Sequence, residues 1–266
     1  MPGLKIAISG KGGVGKSTIA AVWARLLASK GISVLAIDAD PDANLASALG
    51  LPSQLRSTIV PLSRNEKLIE ERTGAKPGLS GQMFSLNPKV SDIAERFAVP
   101  YKGVNLLVLG AVKKGGGGCA CPESAFLKSL VRFAVLQNDE AVILDMEAGV
   151  EHLGRATTSG VDAMVIVTEP GSRSVETAQN IIRLASDIGF DKKLYFILNK
   201  SRNEQHEIDQ ILGKIPDAVI LGSIPYDERF IECDEKDSSM IDEPGTGDLV
   251  PYFQNAMDRL LKAVDK

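Results

Sequence analysis

The stretch Gly10-Lys11-Gly12-Gly13-Val14-Gly15-Lys16-Ser17-Thr18 decides the fold, because it follows a short apolar run and opens a regular helical pattern. Its spacing is G-x-x-x-x-G-K-[ST], in the order of strand, loop and helix that this motif requires. The glycines allow backbone N–H groups to turn inward on phosphate oxygens, and the helix N-terminus adds partial positive charge. We therefore predict a nucleotide phosphate site formed by Gly12, Gly13, Val14, Gly15, Lys16, Ser17 and Thr18.

Two side chains of this loop are expected to act on the ligand directly. Lys16 is placed to bind the β- and γ-phosphates, and the Ser17 hydroxyl, at the start of the helix, is placed to ligate Mg²⁺. ATP or ADP with Mg²⁺ is therefore the predicted ligand. The alternative, a glycine-rich turn that binds nothing, does not explain why a helix follows the loop at once.

Apolar runs rich in β-branched residues recur along the chain and alternate with helical patterns. They lack polar alternation, so both faces of each strand are expected to be buried. Alternation of strand and helix predicts an α/β fold with a mostly parallel sheet flanked by helices. The predicted strands are 4–9, 34–38, 106–109, 141–145, 163–167, 194–198 and 219–222, and the main predicted helices are 18–29, 124–135, 174–188 and 204–212.

The remaining segments are predicted to belong to one domain, 1–266. An irregular insertion is expected at about 52–103, where Pro and Gly interrupt short helical pieces at 66–72 and 91–97. The last segment, 249–264, has one apolar face and is expected to be a packing helix.

Composition excludes several classes of function. The net charge is −4, so the chain lacks the basic balance expected of a nucleic-acid-binding protein. The apolar runs are far shorter than the ~18 residues of a membrane span, and the C-terminal helix carries too few basic residues for a stable membrane anchor. No targeting segment is evident at the N-terminus, so a cytoplasmic location is expected.

Two of the three cysteines, Cys119 and Cys121, lie one residue apart after four glycines and just before a helix that begins near Pro122 or Glu123. The helix N-terminus, with Lys113 and Lys114, is expected to lower the thiol pKa values. One C-x-C supplies half of a metal site, and a two-fold dimer would supply four thiolates for Zn²⁺ or Ni²⁺. The alternative is a redox switch that closes a disulfide.

The loop resembles that of the ParA, MinD and nitrogenase iron protein group, because a second lysine, Lys11, precedes it in K-G-G-V-G-K-S-T, the deviant Walker A pattern. This resemblance covers most of the chain. It implies a homodimer with ATP between the subunits, in which Lys11 reaches the nucleotide of the partner. Such a lysine would stabilise charge on the transferred phosphoryl group.

The same resemblance assigns the other site residues. Asp40, in Asp38-Ala39-Asp40-Pro41, matches the residue that positions the attacking water, whereas Asp38 is expected to be structural. Asp145 matches the Walker B aspartate that holds Mg²⁺ through water, and Gly149 can offer a backbone N–H to the γ-phosphate. The segments where relatives hold the purine correspond to Asn199, Lys200, Pro225, Tyr226 and Asp227, and Asn199 can read the base edge.

The segments C-A-C-P-E at 119–123 and D-M-E-A-G-V-E-H-L-G-R at 145–155 resemble one branch of that group, the CooC type. This branch inserts nickel into carbon monoxide dehydrogenase. The resemblance implies an ATP-hydrolysing metallochaperone with that apo-enzyme as its client, or with acetyl-CoA synthase as a related alternative. A partitioning or positioning ATPase of the ParA/MinD kind is the rival function.

An electron-donating iron-sulfur protein is a third possibility, and one residue argues against it. The nitrogenase iron protein holds its cluster with two separated cysteines per subunit, and His152 occupies the place of the second.

Overall fold

Strand and helix alternate along the chain, as the apolar runs predict. The computed structural model describes residues 3–79, 81–110, 121–137, 140–148 and 155–264. The strands of this part are β1 (Lys5–Gly10), β2 (Val34–Ala39), β3 (Val99–Tyr101), β4 (Val104–Val108), β5 (Ala141–Met146), β6 (Ala163–Thr168), β7 (Leu194–Ser201) and β8 (Val219–Pro225).

The helices surround these strands on both faces. They are α1 (Lys16–Ser29), α2 (Leu45–Ala48), α3 (Ser53–Arg56), the 3-10 helix η1 (Leu62–Arg64), α4 (Glu66–Thr73), α5 (Ile93–Phe97), α6 (Pro122–Gln137), α7 (Arg155–Thr158), α8 (Ser172–Asp187), α9 (Glu204–Lys214), α10 (Arg229–Glu235) and α11 (Val250–Val264). Within the described residues, every helix is too short or too polar to span a bilayer.

The described strands form one sheet in the order β3-β4-β2-β5-β1-β6-β7-β8. All neighbouring pairs are parallel except β3 and β4, which are antiparallel. Strand β1 lies between β5 and β6, so Ile8 is opposite Asp145 on one side and Val165 on the other. The carboxyl ends of the parallel strands therefore meet at one edge of the sheet, where α/β proteins bind their ligands.

The core lies in two layers, one on each face of the sheet. Alternate residues of β1 point to opposite faces: Ile6 and Ile8 pack in the layer with α1 and α11, and Ala7 packs in the layer with α6 and α8. In the first layer Trp23 is fully buried, and its indole N–H donates to the backbone carbonyl of Phe253 in α11 over 3.0 Å. This bond ties the C-terminal helix to the helix that follows the phosphate loop.

The predicted fold class is confirmed, since each predicted run forms a strand of a mostly parallel sheet with helices on both faces. The structure also differs from the sequence analysis in the bounds of some elements. Val99–Tyr101, the last part of the predicted insertion at 52–103, is strand β3 of the main sheet. Helix α1 begins at Lys16 rather than at 18, so its first turn includes the phosphate loop lysine.

The rest of the 52–103 segment covers one end of the sheet. Its apolar residues Leu62, Leu68, Ile69, Val90 and Ile93 are buried in the same layer as α6. Prolines and glycines break this segment into short helices, but its side chains still complete the core. The extent of the single domain stays a prediction.

Candidate nucleotide-binding site

The loop between β1 and α1 lies at the carboxyl edge of the sheet, next to the ends of β5 and β6. Gly15 precedes α1 with a φ of 94°, a left-handed conformation that glycine adopts without a steric penalty. A Cβ atom at this position would also lie 2.3 Å from the Nδ2 atom of Asn199. No side chain caps α1, so the backbone N–H groups of its first turn remain for an anion.

A cleft of about 490 Å³ opens above this loop. It is bounded by the loop, by the segment after β2, by the end of β7 and by α10. A volume of this size is in the range of small-molecule sites. The predicted site residues on its wall are Gly12, Gly13, Gly15, Lys16, Ser17, Thr18, Asp40, Asn199, Lys200, Tyr226 and Asp227.

Other predicted residues that the structure describes do not line this cleft. The Val14 side chain is fully buried in the core beneath the loop, and Pro225 ends β8. Lys11 is half-buried at the start of the loop. Gly149 lies outside the described residues.

Lys16 and Asp40 form a buried ion pair at the base of the cleft. Lys16 Nζ lies 3.3 Å from Asp40 Oδ2, and both side chains are at least 89% buried, with exposures of 5% and 11%. The other carboxylate oxygen of Asp40 accepts the backbone N–H of Asp42 over 3.1 Å. The segment after β2 is thus bound to the phosphate loop through the lysine that is predicted to bind phosphate.

Asp145 lies behind this pair, at the end of β5, and is fully buried. Burial raises the pKa of this carboxyl to about 6, while the nearby Ser17 hydroxyl and Lys16 amine favour its ionised form. Neither of its oxygens accepts a hydrogen bond of normal geometry from the described residues. Two buried carboxylate oxygens that lack donors and lie beside a serine hydroxyl fit a hard cation such as Mg²⁺.

Asp38 is the structural member of the acidic group. One of its carboxylate oxygens accepts the backbone N–H of Leu45 over 2.9 Å and the other that of Asp40 over 3.3 Å. Burial, with the charge of Asp145 on the adjacent strand, raises the pKa of Asp38 to about 8. Asp38 therefore shapes the backbone between β2 and α2, and its burial favours the neutral form of the carboxyl.

Two residues of the cleft wall, Tyr226 and Asp227, are each bound by an arginine. Arg229 donates to both carboxylate oxygens of Asp227 and to both of Asp248, and these bonds hold the pKa of Asp227 below its usual value. The Arg202 guanidinium stacks over the Tyr226 ring, 4.3 Å from its centre. Base recognition by Asn199, Lys200, Pro225, Tyr226 and Asp227 stays a prediction, and the Asp227 carboxylate is already fully engaged.

Sequence reasoning missed α10, which forms part of the cleft wall. Phe230, Ile231, Cys233 and Asp234 line the cleft from this helix. Cys233 is only 4% exposed, and burial raises its thiol pKa. The helix has 7 residues, too few for a periodic pattern, and its only signal is its place directly after I-P-Y-D.

The predicted metal cysteines are only partly covered by the structure. Helix α6 begins at Pro122, as expected, and Cys121 Sγ accepts the backbone N–H of Ser124 over 3.4 Å. The expected lowering of the thiol pKa is wrong for Cys121: burial raises it, and the Glu123 carboxylate raises it further, against the effect of the Ser124 N–H. Cys119, Lys113, Lys114 and His152 lie outside the described residues.

The described residues do not include a group of three or more His, Cys, Asp or Glu side chains arranged to hold a metal ion. Within the described part of one chain, Cys121 therefore does not belong to a group of three or more metal ligands.

A phosphate loop at the edge of a parallel sheet, beside a cleft with buried carboxylates, defines a P-loop nucleotide-binding protein. Residues 5–240 match the CobQ/CobB/MinD/ParA nucleotide binding domain, and the chain belongs to this family and is an ATPase.

Curated relatives indicate which branch of this family the chain resembles. The carbon monoxide dehydrogenase accessory protein CooC of Rhodospirillum rubrum is 47% identical over 90% of this chain and 90% of its own length. An ATP-binding protein of Methanocaldococcus jannaschii is 46% identical over 87% of this chain and 88% of its own. The predicted resemblance to the CooC type is confirmed.

Solved structures agree with the fold. MinD of Pyrococcus furiosus superimposes with a TM-score of 0.67 at 19% identity, covering 99% of this chain and 100% of its own. MinD of Aquifex aeolicus gives a TM-score of 0.63 at 22% identity, covering 98% and 97%. At these identities the likeness concerns the fold alone.

Proposed function

We propose that this protein is a cytoplasmic ATP-driven metallochaperone that dimerises with ATP and metal and delivers nickel to apo carbon monoxide dehydrogenase. The observation that carries the proposal is the 47% identity with CooC over 90% of both chains. The cysteine at the start of α6 supports it, because thiolates are soft ligands suited to Ni²⁺ or Zn²⁺.

Hydrolysis follows from the charges around the cleft. The phosphates of ATP bind the free N–H groups at the start of α1 and the Lys16 amine, which must then share its charge between Asp40 and the γ-phosphate. Ser17 and Asp145 would hold Mg²⁺, which neutralises charge on the phosphate oxygens. Asp40 accepts a hydrogen bond from the attacking water and orients it.

A further positive charge at the phosphates comes from the second subunit of the proposed dimer. Lys11 lies at the start of the loop, and no ion pair to it occurs among the described residues. In the proposed dimer Lys11 crosses to the nucleotide of the partner subunit, so that ATP favours association.

Lys11→Ala tests this role. The variant should bind ATP within about threefold of wild type, since Lys16 and the loop backbone remain, but its ATP-dependent dimerisation should weaken by at least about tenfold. Analytical ultracentrifugation with ATP and with ADP measures both states. The matched control is Lys30→Ala, a lysine that directly follows α1 and whose side chain is 44% exposed. A full-strength ATP dimer of Lys11→Ala would rule out the shared nucleotide site.

Metal binding is proposed to use the same dimer. Each chain offers Cys119 and Cys121, so two chains offer four thiolates on the two-fold axis. Because ATP and metal both favour the dimer, each should raise the affinity for the other, and hydrolysis would reset the cycle.

The metal stoichiometry distinguishes this site from one within a single chain. We expect about one Ni²⁺ or Zn²⁺ per two chains, with a rise in mass from monomer to dimer even without nucleotide. Titration under reducing conditions, with mass followed by light scattering, measures both quantities. Cys121→Ser should abolish the rise and leave ADP affinity within about twofold, whereas Cys233→Ser, the control at a buried thiol of α10, should keep it.

Two results would contradict the shared site: about one ion per chain with unchanged mass, or a Cys121→Ser variant that still dimerises with metal. A reversible change of ATP hydrolysis on oxidation and reduction of the cysteine pair in metal-free protein would instead favour the redox-switch alternative.

The rival function, a partitioning or positioning ATPase, requires a basic surface for DNA or membrane. In α11, Arg259 donates to the Leu221 carbonyl over 3.0 Å, and Asp258 lies 3.6 Å from Lys30. The polar side of this helix therefore carries both signs of charge, and the Arg259 guanidinium is already bound to a backbone carbonyl. This composition favours packing over membrane binding.

A further inference from the structure

The end of β7 departs from regular strand geometry next to the phosphate loop. The pairing of β7 with β8 shifts register between Leu198 and Ser201, which is the pattern of a β-bulge. Within this bulge Lys200 has a φ of 56°, a left-handed backbone conformation that is unfavourable for residues other than glycine. Strained residues of this kind persist where the surrounding contacts require them.

The bulge turns two consecutive side chains toward the same loop. In a regular strand Asn199 and Lys200 would point to opposite faces of the sheet. Here Asn199 Nδ2 donates to the Val14 carbonyl over 2.7 Å, and Lys200 Nζ donates to the Gly13 carbonyl over 2.6 Å. Two adjacent residues thus bind two adjacent carbonyls of the phosphate loop.

Both contacts are supported from neighbouring elements. The missing Cβ of Gly15 makes room for the Asn199 amide, which is 8% exposed at the level of the residue. Lys200 Nζ also lies 3.3 Å from Glu169 Oε2, and the Glu169 backbone N–H donates to the buried Ser174 hydroxyl over 3.0 Å. The loop is therefore connected to the ends of both β6 and β7.

We propose that Asn199 and Lys200 form a clamp that holds the phosphate loop in its anion-binding shape, with Lys200 as a positioning residue. A phosphate loop binds an anion only when several of its backbone N–H groups converge on one point. Hydrogen bonds that fix the loop carbonyls on the outer side therefore also fix the N–H groups on the inner side. The Lys200 amine contacts the Gly13 carbonyl and the Glu169 carboxylate. It therefore affects nucleotide affinity through the shape of the loop.

Lys200→Gly is the principal test, because glycine accepts the positive φ and removes the whole side chain together with its amine. We expect ADP and ATP to bind about tenfold more weakly, as loss of a charged hydrogen bond predicts, while the thermal midpoint is not lowered. Adenosine, measured by competition against fluorescent ADP, should bind as it does to wild type, because it lacks phosphates. Hydrogen exchange of the backbone amides at 11–16 should accelerate.

The chain offers a matched control in Lys192. This lysine also donates to a backbone carbonyl, that of Val161, over 2.7 Å and lies 3.9 Å from Asp162, with a side-chain exposure of 37% against 43% for Lys200. It precedes β7 and therefore lies at the opposite edge of the sheet. Lys192→Met should leave nucleotide affinity and loop exchange unchanged, whereas Lys200→Met should reproduce the loss seen with Lys200→Gly.

Two outcomes would overturn the clamp. Wild-type ADP affinity with unchanged exchange at 11–16 in Lys200→Gly would show that the contact does not shape the loop. Equal weakening of ADP and adenosine would place Lys200 on the nucleoside instead. Neither outcome bears on the metallochaperone proposal, which is decided by the metal stoichiometry and by the Lys11→Ala dimer.

Discussion

Lys16→Ala is expected to lower the rate of ATP hydrolysis by roughly 10²–10³-fold, because the β- and γ-phosphates lose the charge that the site places beside them. The structure adds a second consequence. Lys16 is also the ion-pair partner of Asp40, and its removal leaves a buried carboxylate without its cation. The variant should therefore lose about 1–3 kcal/mol of stability as well.

The two effects of this substitution are separated by the double variant Lys16→Ala/Asp40→Asn. Removing both charges should restore most of the stability without restoring hydrolysis. Phosphate release and thermal unfolding measure the two quantities, and Lys30→Ala, directly after the same helix, is the control. Turnover near the wild-type rate in a folded Lys16→Ala protein would refute the assignment of the phosphate site.

Asp145→Asn is expected to reduce Mg²⁺-dependent hydrolysis by roughly 100-fold without destabilising the protein at neutral pH. The carboxyl has a folded pKa of about 6 against a usual value of 3.8, so its ionisation is less favourable in the folded state. The ionisation of Asp145 therefore lowers the free energy of unfolding of the wild-type protein as the pH rises from about 4 to about 6. Asparagine removes this cost and also removes the charge that would bind the cation.

Asp145→Asn should consequently be as stable as wild type or more stable at pH 7, while losing activity. Unfolding profiles between about pH 4 and pH 8, with hydrolysis measured over a range of Mg²⁺ concentrations, test both statements. The control is Asp217→Asn, an exposed carboxylate that precedes β8 at the opposite edge of the sheet. Wild-type Mg²⁺ dependence in Asp145→Asn would place the cation elsewhere.

The sequence carried enough information for most of the fold. The loop at 10–18 and the buried apolar runs predicted a parallel sheet with its ligand at the carboxyl edge, and those strands lie in one sheet. Strand β3 was missed because V-P-Y is short and contains proline, which is tolerated only at a sheet edge or bulge. Its antiparallel partner β4 supplies the pairing that the local sequence does not encode.

The site was predictable where a motif fixes spacing and less so where it depends on distant contacts. Lys16, Ser17 and Asp40 lie together because two strand ends meet at one edge. The order of strands β2, β5 and β1 produces the ion pair between Lys16 and Asp40 and leaves the Asp145 oxygens without hydrogen-bond donors among the described residues. Three separate apolar runs in a sequence do not reveal that order. The raised pKa of Cys121 likewise depends on burial by the folded chain.

The hydrogen bond between Trp23 and the Phe253 carbonyl gives this protein an intrinsic optical reporter. Trp23 is the only tryptophan of the chain, so its emission has a single source. Phe253, whose carbonyl accepts its indole N–H over 3.0 Å, also lines the nucleotide cleft. If nucleotide binding shifts α11, the polarity around the indole changes, and ultraviolet fluorescence would then follow occupancy of the cleft without a label.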